Sequence, residues 1–532
     1  MSKDIGSKTR QGVLWTVLFD SFEFVLNFAS SIILARLLFP EDFGLMSIAS
    51  IAIQFARRLA NFGFSTVLVQ LKEVKDEHYD TVYIMNLALM ALVCAALFFG
   101  APFYADFFNN DKLNLILRII AFDFLLKAFA SVPTSILRRY MNFRLLGMSQ
   151  TIGKAATIFS TVALAIAGAG VWSLVFGTLI GSFAQRTAVI HFARRYTPWR
   201  PGLRFRWWAM KEAFAFGAWV YAGAYVNFAV KKIDFFLVGK FLGAVQLGFY
   251  ERAFQIMSLP RHELVHKINS VLFSGFSRIQ DDDQRVVKGL LRVVTYLSII
   301  SYPLMIWLFF VSPSLIRVVY GEKWVSTVYP LQVMCLSGLL DSFTLLFQPV
   351  LRAKGLIGHN TRRDFMYLIV LGTLVYVCLP WGIDGVAWGV VAASVISLGL
   401  MLQVTMRKLP LTLGGFLKAQ QSAMIYGLIQ IGTLLLLQTL SKPYFSDDSI
   451  PMLIAVSALS LVSVLGAHLL LRFKDVDEIF FEFLDEGFKF ARKLPVLGRL
   501  GFLQKKMRAS KTPKPPKAPK IPKAPEVDES VE

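Results

Sequence analysis

The sequence predicts an all-α polytopic membrane protein of about 14 transmembrane helices, arranged as two pseudo-symmetric six-helix bundles plus a C-terminal helix pair. Three observations carry that expectation. Apolar stretches, each close to one membrane span in length, follow one another from Trp15 to Leu471 with short polar loops between them. The 532-residue chain is 55% hydrophobic with a mean hydropathy of +0.56, and a helix needs about 20 apolar residues to cross the ~30 Å hydrocarbon layer. Lys and Arg alternate between loops, and segments of the first half recur in the second at a nearly constant spacing.

The predicted spans are 12–37, 43–68, 80–104, 113–137, 150–168 and 170–193, then 212–241, 245–272, 289–312, 327–351, 364–381 and 384–406, and last 418–440 and 450–471. With the N-terminus inside, every second loop is cationic. Arg138, Arg139 and Arg144 fall in one; Arg194, Arg195, Arg200, Arg204, Arg206 and Lys211 in the next; and Arg352, Lys354, Arg362 and Arg363 in a later one. The outer loops hold only Lys112, Lys240, Arg317, Lys323 and Lys442. Losing one helix would move every later loop to the other side, so the asymmetry supports an even number with both ends in the cytoplasm. The net charge of +21 then reflects this bias and a basic tail, not nucleic-acid binding.

The basic N-terminus is followed by an apolar run too long for a signal-peptide core and lacking a small-residue cleavage site, so it is expected to remain as the first helix. Cys94, Cys335 and Cys378 lie inside apolar stretches, which suits neither a disulfide framework nor a metal site. The histidines are dispersed, and only His262 and His266 are close together. No cofactor is implied.

Trp15, Arg36, Leu38 and Gly44 recur as Trp219, Lys240, Leu242 and Gly248 at an offset of 204. Pro133 with Arg138 answers to Pro349 with Arg352, and Gly170-Val171 to Gly385-Val386 at an offset of 215. Offsets this steady predict duplication of a six-helix unit. Six is even, so both copies enter the membrane in the same sense and leave a central cavity between them. The expected division is a bundle over 1–195, a cytoplasmic basic loop at 196–211, a second bundle over 212–407, an extra helix pair at 418–472 and a cytoplasmic tail at 473–532.

Four strings, GVLWTVLFDSFEFVLNFASSIILARLLFPEDFGLMSIA, LRRYMNFR, GAGVWSLVFG and YVNFAVKKIDFFLVGKFLGAVQLGFYERAFQIMSLP, resemble the Wzx-type, WzxC-like polysaccharide-transport branch of the multidrug/oligosaccharidyl-lipid/polysaccharide exporter superfamily. The resemblance covers roughly residues 5–472. It implies a flippase, not an enzyme, that moves an undecaprenyl-pyrophosphate-linked saccharide across the bacterial inner membrane by alternating access, for lipopolysaccharide, capsule or exopolysaccharide synthesis. An ion-coupled multidrug or small-molecule exporter on the same fold is the alternative.

Charge placed where charge is costly points to the substrate site. Arg57 and Arg58 in the second span, Lys231 and Lys232 in the seventh and Arg252 in the eighth each cost at least about 2.5 kcal/mol in hydrocarbon, so they should face a water-filled cavity. There Arg forks or Lys ammonium groups would compensate a lipid pyrophosphate; snorkelling or local pairing is the competing explanation, strongest for Lys231 with Asp234 three residues on. Asp20 and Glu23 share a face of the first span. Two carboxylates in a low dielectric can exchange a proton or Na⁺, which makes them the coupling candidates, unless they only pair with Arg57 or Arg58. Asp123 and Lys127, four apart, read as a self-compensating structural pair, and Asp341 is unassigned.

GMSQTIGKAA at 147–156 has the wrong glycine spacing for a P-loop, and Ala155 stands where Ser or Thr is needed, so no ATPase site is expected. Gly177/Gly181 and Gly385/Gly389 suit close helix packing. Trp207, Trp208 and Trp324 suit interfacial anchors. An amphipathic helix is expected at 475–494, and the KTPKPPKAPKIPKAP run after it should be extended and solvated. That tail could attract membrane lipids or a partner such as a polysaccharide polymerase, or act only as a solubilising segment.

Overall fold

A helix satisfies every backbone hydrogen bond within its own segment, which is what hydrocarbon demands of a spanning chain. The computed structural model describes residues 26–471 apart from 61–66, 70, 72–73, 198, 203, 208–220, 356 and 442–448, together with residue 473, and no strand occurs among the described residues. Trp15, Asp20, Glu23, Trp208, Trp219, the 475–494 segment and the Lys/Pro tail lie outside them. Met1–Leu471 forms one compact unit and Arg472–Glu532 a second.

The helices of the first half are α1 (Leu26–Leu37), α2 (Pro40–Ala60), α3 (Asp76–Phe107), α4 (Lys112–Arg139), α5 (Phe143–Ile166) and α6 (Val171–Ala193). Those of the second are α7 (Tyr221–Phe241), α8 (Gly243–Arg278), α9 (Asp283–Leu315), α10 (Val328–Ala353), α11 (Ile357–Cys378) and α12 (Gly382–Lys408). The last two are α13 (Gln421–Ser441) and α14 (Ile450–Leu471). Between α9 and α10 the chain passes through a π turn at Ile316–Tyr320 and a 3₁₀ turn at Glu322–Thr327.

Among the described residues, seven stretches are long and apolar enough to cross a membrane: α3, α6, α9 with its π turn, α10 with its 3₁₀ turn, α11 joined to α12, α13 and α14. The helices outside that set include α4, α7 and α8, which carry Asp123, Lys231, Lys232 and Arg252 inside the helix, and α2, in which Arg57 and Arg58 fall in the last turn.

Within the halves, α3 packs on α4, α5 on α6, α10 on α12 and α11 on α12. The halves meet chiefly where α2 crosses α8. Gly243, at φ +83°, reverses the chain between α7 and α8, a conformation a side chain would strain. At the crossing, a Cβ on Gly44 would lie 1.7 Å from the Ala244 carbonyl oxygen, and one on Gly248 would lie 1.9 Å from that of Pro40. Each pair of equivalents is separated by the same 204 residues that the sequence repeat shows, so the contact is reciprocal. Gly177 and Gly181 seat the Thr161 and Thr157 hydroxyls of α5, and Gly389 meets Leu374 of α11. These glycines serve close packing, as their spacing predicted.

α13 and α14 pack on each other and on α9, where Gln430 donates to Pro303 O at 3.0 Å and Trp307 Nε1 to Ser457 Oγ at 3.1 Å. Arg363, expected in a loop, is buried in α11 and hydrogen-bonds Asp364. The helix begins before it, at Ile357.

Candidate functional site

Three helices each give one face to a polar cavity of about 520 Å³. Asn27, Ser30, Ser31 and Leu34 come from α1, Phe43, Met46, Ser47 and Ser50 from α2, and Gly248, Glu251, Arg252 and Gln255 from α8. The spacing is i, i+3, i+4, i+7 in every case, the stripe that one side of an α-helix presents. Lys154 of α5 and Leu174 of α6 complete the wall. The volume lies within the ~300–1,000 Å³ range of small-molecule sites.

Arg252 is the buried cation of the lining. Its residue is 3% exposed, and Nη1 donates to Ser31 Oγ at 2.8 Å and to Gln255 Oε1 at 2.9 Å. The guanidinium carbon lies 4.4 Å from the Phe43 ring centroid, 5.1 Å from that of Trp324 and 5.4 Å from that of Tyr320. Aromatic faces, a hydroxyl and an amide oxygen, none of them charged, thus hold the guanidinium. Glu251 is within electrostatic reach of Arg252 and Lys232. Lys154 Nζ, from the opposite half, is 3.4 Å from Asn27 Oδ1. Two cations and one carboxylate line the cavity, a setting suited to an oxyanion.

The other cations named from the sequence lie off this lining. Arg57 pairs with Asp123 at 3.4 Å, and Arg186 of α6 reaches the same carboxylate at 3.3 Å. The Asp123 side chain is 3% exposed and that of Arg57 45%. Arg58 donates to Gln54 O at 3.2 Å and lies 4.3 Å from the Phe228 ring centroid. Lys231 is exposed, and Lys232 Nζ lies 4.3 Å from the Phe235 ring centroid. Asp234 accepts from the Tyr250 hydroxyl at 2.7 Å.

Three residues escaped the sequence reading or were misplaced by it. Lys154 belongs to the rejected P-loop string, and a span starting at 150 put it near a helix end. Because α5 starts at Phe143, Lys154 sits at mid-helix, where the rule that flagged Arg252 applies. Glu251 carried the same signal, one residue from Arg252. Trp324 is no interfacial anchor: it is fully buried, and Nε1 donates to Ala35 O at 2.7 Å. An aromatic beside a loop looks alike in both settings.

The chain is 27% identical to the lipopolysaccharide biosynthesis protein WzxC of Escherichia coli (strain K12), over 69% of this chain and 75% of that protein. It is also 27% identical to the succinoglycan biosynthesis transport protein ExoT of Rhizobium meliloti (strain 1021), over 67% and 71% respectively. Among solved structures, the lipid II flippase MurJ in an inward closed conformation superposes with a TM-score of 0.68 at 15% identity, covering 89% of this chain and 99% of that one. That likeness shows a shared helical fold. The family described as polysaccharide biosynthesis protein matches residues 33–329, more than half of the chain. The protein therefore belongs to the polysaccharide biosynthesis protein family, in the Wzx-type branch that its sequence resembles.

Proposed function

We propose that the protein is a flippase that carries an undecaprenyl-pyrophosphate-linked saccharide across the bacterial inner membrane by alternating access. The observation that carries this reading is the cavity between α2 and α8, where Arg252 and Lys154 face one space from opposite halves of the chain. An anionic diphosphate would bridge the two and be followed by both halves as they move. Arg57, with a half-exposed side chain, and Lys231, which is exposed, are reachable from outside the lining, and together with Arg58 and Lys232 they act as secondary contacts along the route. A site for organic cations would instead be acidic.

Replacing Arg252 and Lys154 with Ala together should lower surface polysaccharide at least about tenfold in a flippase-null strain, since each deletion removes a charged hydrogen bond of about 1.5–3 kcal/mol. Arg252→Lys should rescue only in part, lacking the planar fork. Wild-type polysaccharide from the double variant at normal membrane levels rules the site out.

The reading includes fourteen spans in two six-helix bundles, 1–195 and 212–407, with the 418–472 pair appended and both termini in the cytoplasm. Reporter fusions at Arg200 and Lys354 should then report cytoplasm and one at Asp447 the outside. An external signal at Arg200 is incompatible with it. Energy enters through the membrane potential acting on the anionic substrate, at about 2.3 kcal/mol per charge per 100 mV, and through proton or Na⁺ exchange at Asp20 and Glu23.

A further inference from the structure

The end of the bundle that the Lys and Arg bias assigns to the outside is tied across the two halves by a pair of cations. Arg36, in the last turn of α1, donates Nε to Val319 O at 2.9 Å and hydrogen-bonds Val318 O as well. Lys240, in the last turn of α7, hydrogen-bonds Phe107 O at the end of α3, and its Nζ lies 4.4 Å from the Phe107 ring centroid. Arg36 and Lys240 are 204 residues apart, as are Gly44 and Gly248, while Phe107 and Val319 are 212 apart, close to the same repeat. Each cation thus leaves its own half to bond a carbonyl in the last turn of a helix, or in the π turn extending it, in the other half. Such carbonyls lack intrahelical partners and attract positive charge. Other chemistry at these positions would break the correspondence, yet both are basic.

The tie reaches the cavity. Lys323 donates back to Arg36 O at 2.8 Å, and the next residue, Trp324, bonds Ala35 O while its ring holds the Arg252 guanidinium. Separating the halves here displaces the aromatic wall around the cavity cation.

We propose that Arg36 and Lys240 are the matching halves of one latch that closes the outer end of the cavity, and that both side chains must release their carbonyls before the cavity opens outward. The proposal rests on the alternating-access reading. Its test places a single thiol in the cavity, Ser50→Cys, in the full chain with Cys94, Cys335 and Cys378 replaced by Ser, and measures labelling by a membrane-impermeant thiol reagent from each side of the membrane. Arg36→Gln combined with Lys240→Gln keeps the stems but removes the charges. It should raise labelling from the outside about fivefold or more, with smaller rises in the single variants, because losing three charge-assisted bonds shifts the equilibrium toward the open state. Arg36→Lys and Lys240→Arg should label as the parent does. Outside labelling that stays at the parent rate in the double variant, with normal labelling from the inside, overturns the latch alone. A thiol that reacts from neither side in any variant overturns alternating access and the latch with it.

Discussion

Replacing Asp123 with Ala is expected to destabilise the protein by about 3–5 kcal/mol, the cost of leaving buried charge without its partner. Asp123 lies at mid-helix in α4 and receives Arg57 from α2 and Arg186 from α6, with Lys127 one turn farther along its own helix. Removing the carboxylate takes from Arg57 and Arg186 the anion they share and leaves the two guanidinium groups facing each other. The Arg57 side chain is 45% exposed and water screens it, so its share is small. Arg186, at 17%, bears most of the loss, and its buried Nε has no hydrogen-bond partner among the described residues. Thermal unfolding in detergent micelles should show a fall in Tm of several degrees and reduced membrane levels. Adding Arg186→Met should recover part of it, since an apolar side chain needs no counter-ion. An Asp123→Ala protein that melts at the parent temperature would mean that the cluster is hydrated and does not hold α2, α4 and α6 together.

This cluster also marks what the sequence could and could not disclose. Neighbours at i+4 are visible in a sequence, and Asp123 with Lys127 was legible on that basis. Partners 66 and 63 residues away, on two other helices, were not. The run of helices was legible because hydrocarbon imposes one length on every spanning segment, and the error lay in boundaries. Starting α5 at 150 instead of Phe143 was enough to hide Lys154. Arg252 was legible because a mid-helix Arg in a membrane protein has few explanations. Its aromatic surroundings were not, since Phe43, Tyr320 and Trp324 come from distant segments. The repeat was legible in Gly44 and Gly248, but their contact was not: each glycine meets the residue one turn before the other glycine, which follows from two helices crossing, not from matching letters.

Gly44→Ala and Gly248→Ala should each abolish export, and to a similar degree. In both cases the new methyl group would meet a carbonyl of the opposite helix, 1.7 Å away at Gly44 and 1.9 Å away at Gly248, with the carbonyl carbons at 2.6 and 2.7 Å. Backbone atoms cannot swing aside as a flexible side chain can. The helices would have to separate by more than ~1 Å, and packed interiors deform little without large cost. That separation falls where Arg36 and Lys240 reach across, so a protein that still inserts should lose the closed outer end. Gly100 is the control, since a Cβ there meets nothing within 4 Å, and Gly100→Ala should export normally. Surface polysaccharide in a flippase-null strain, normalised to membrane level, checks the set. Equal losses at Gly44 and Gly248 are what a reciprocal contact requires, because either methyl group wedges the same crossing. Normal export from either Ala variant would show that α2 and α8 need not approach this closely during transport.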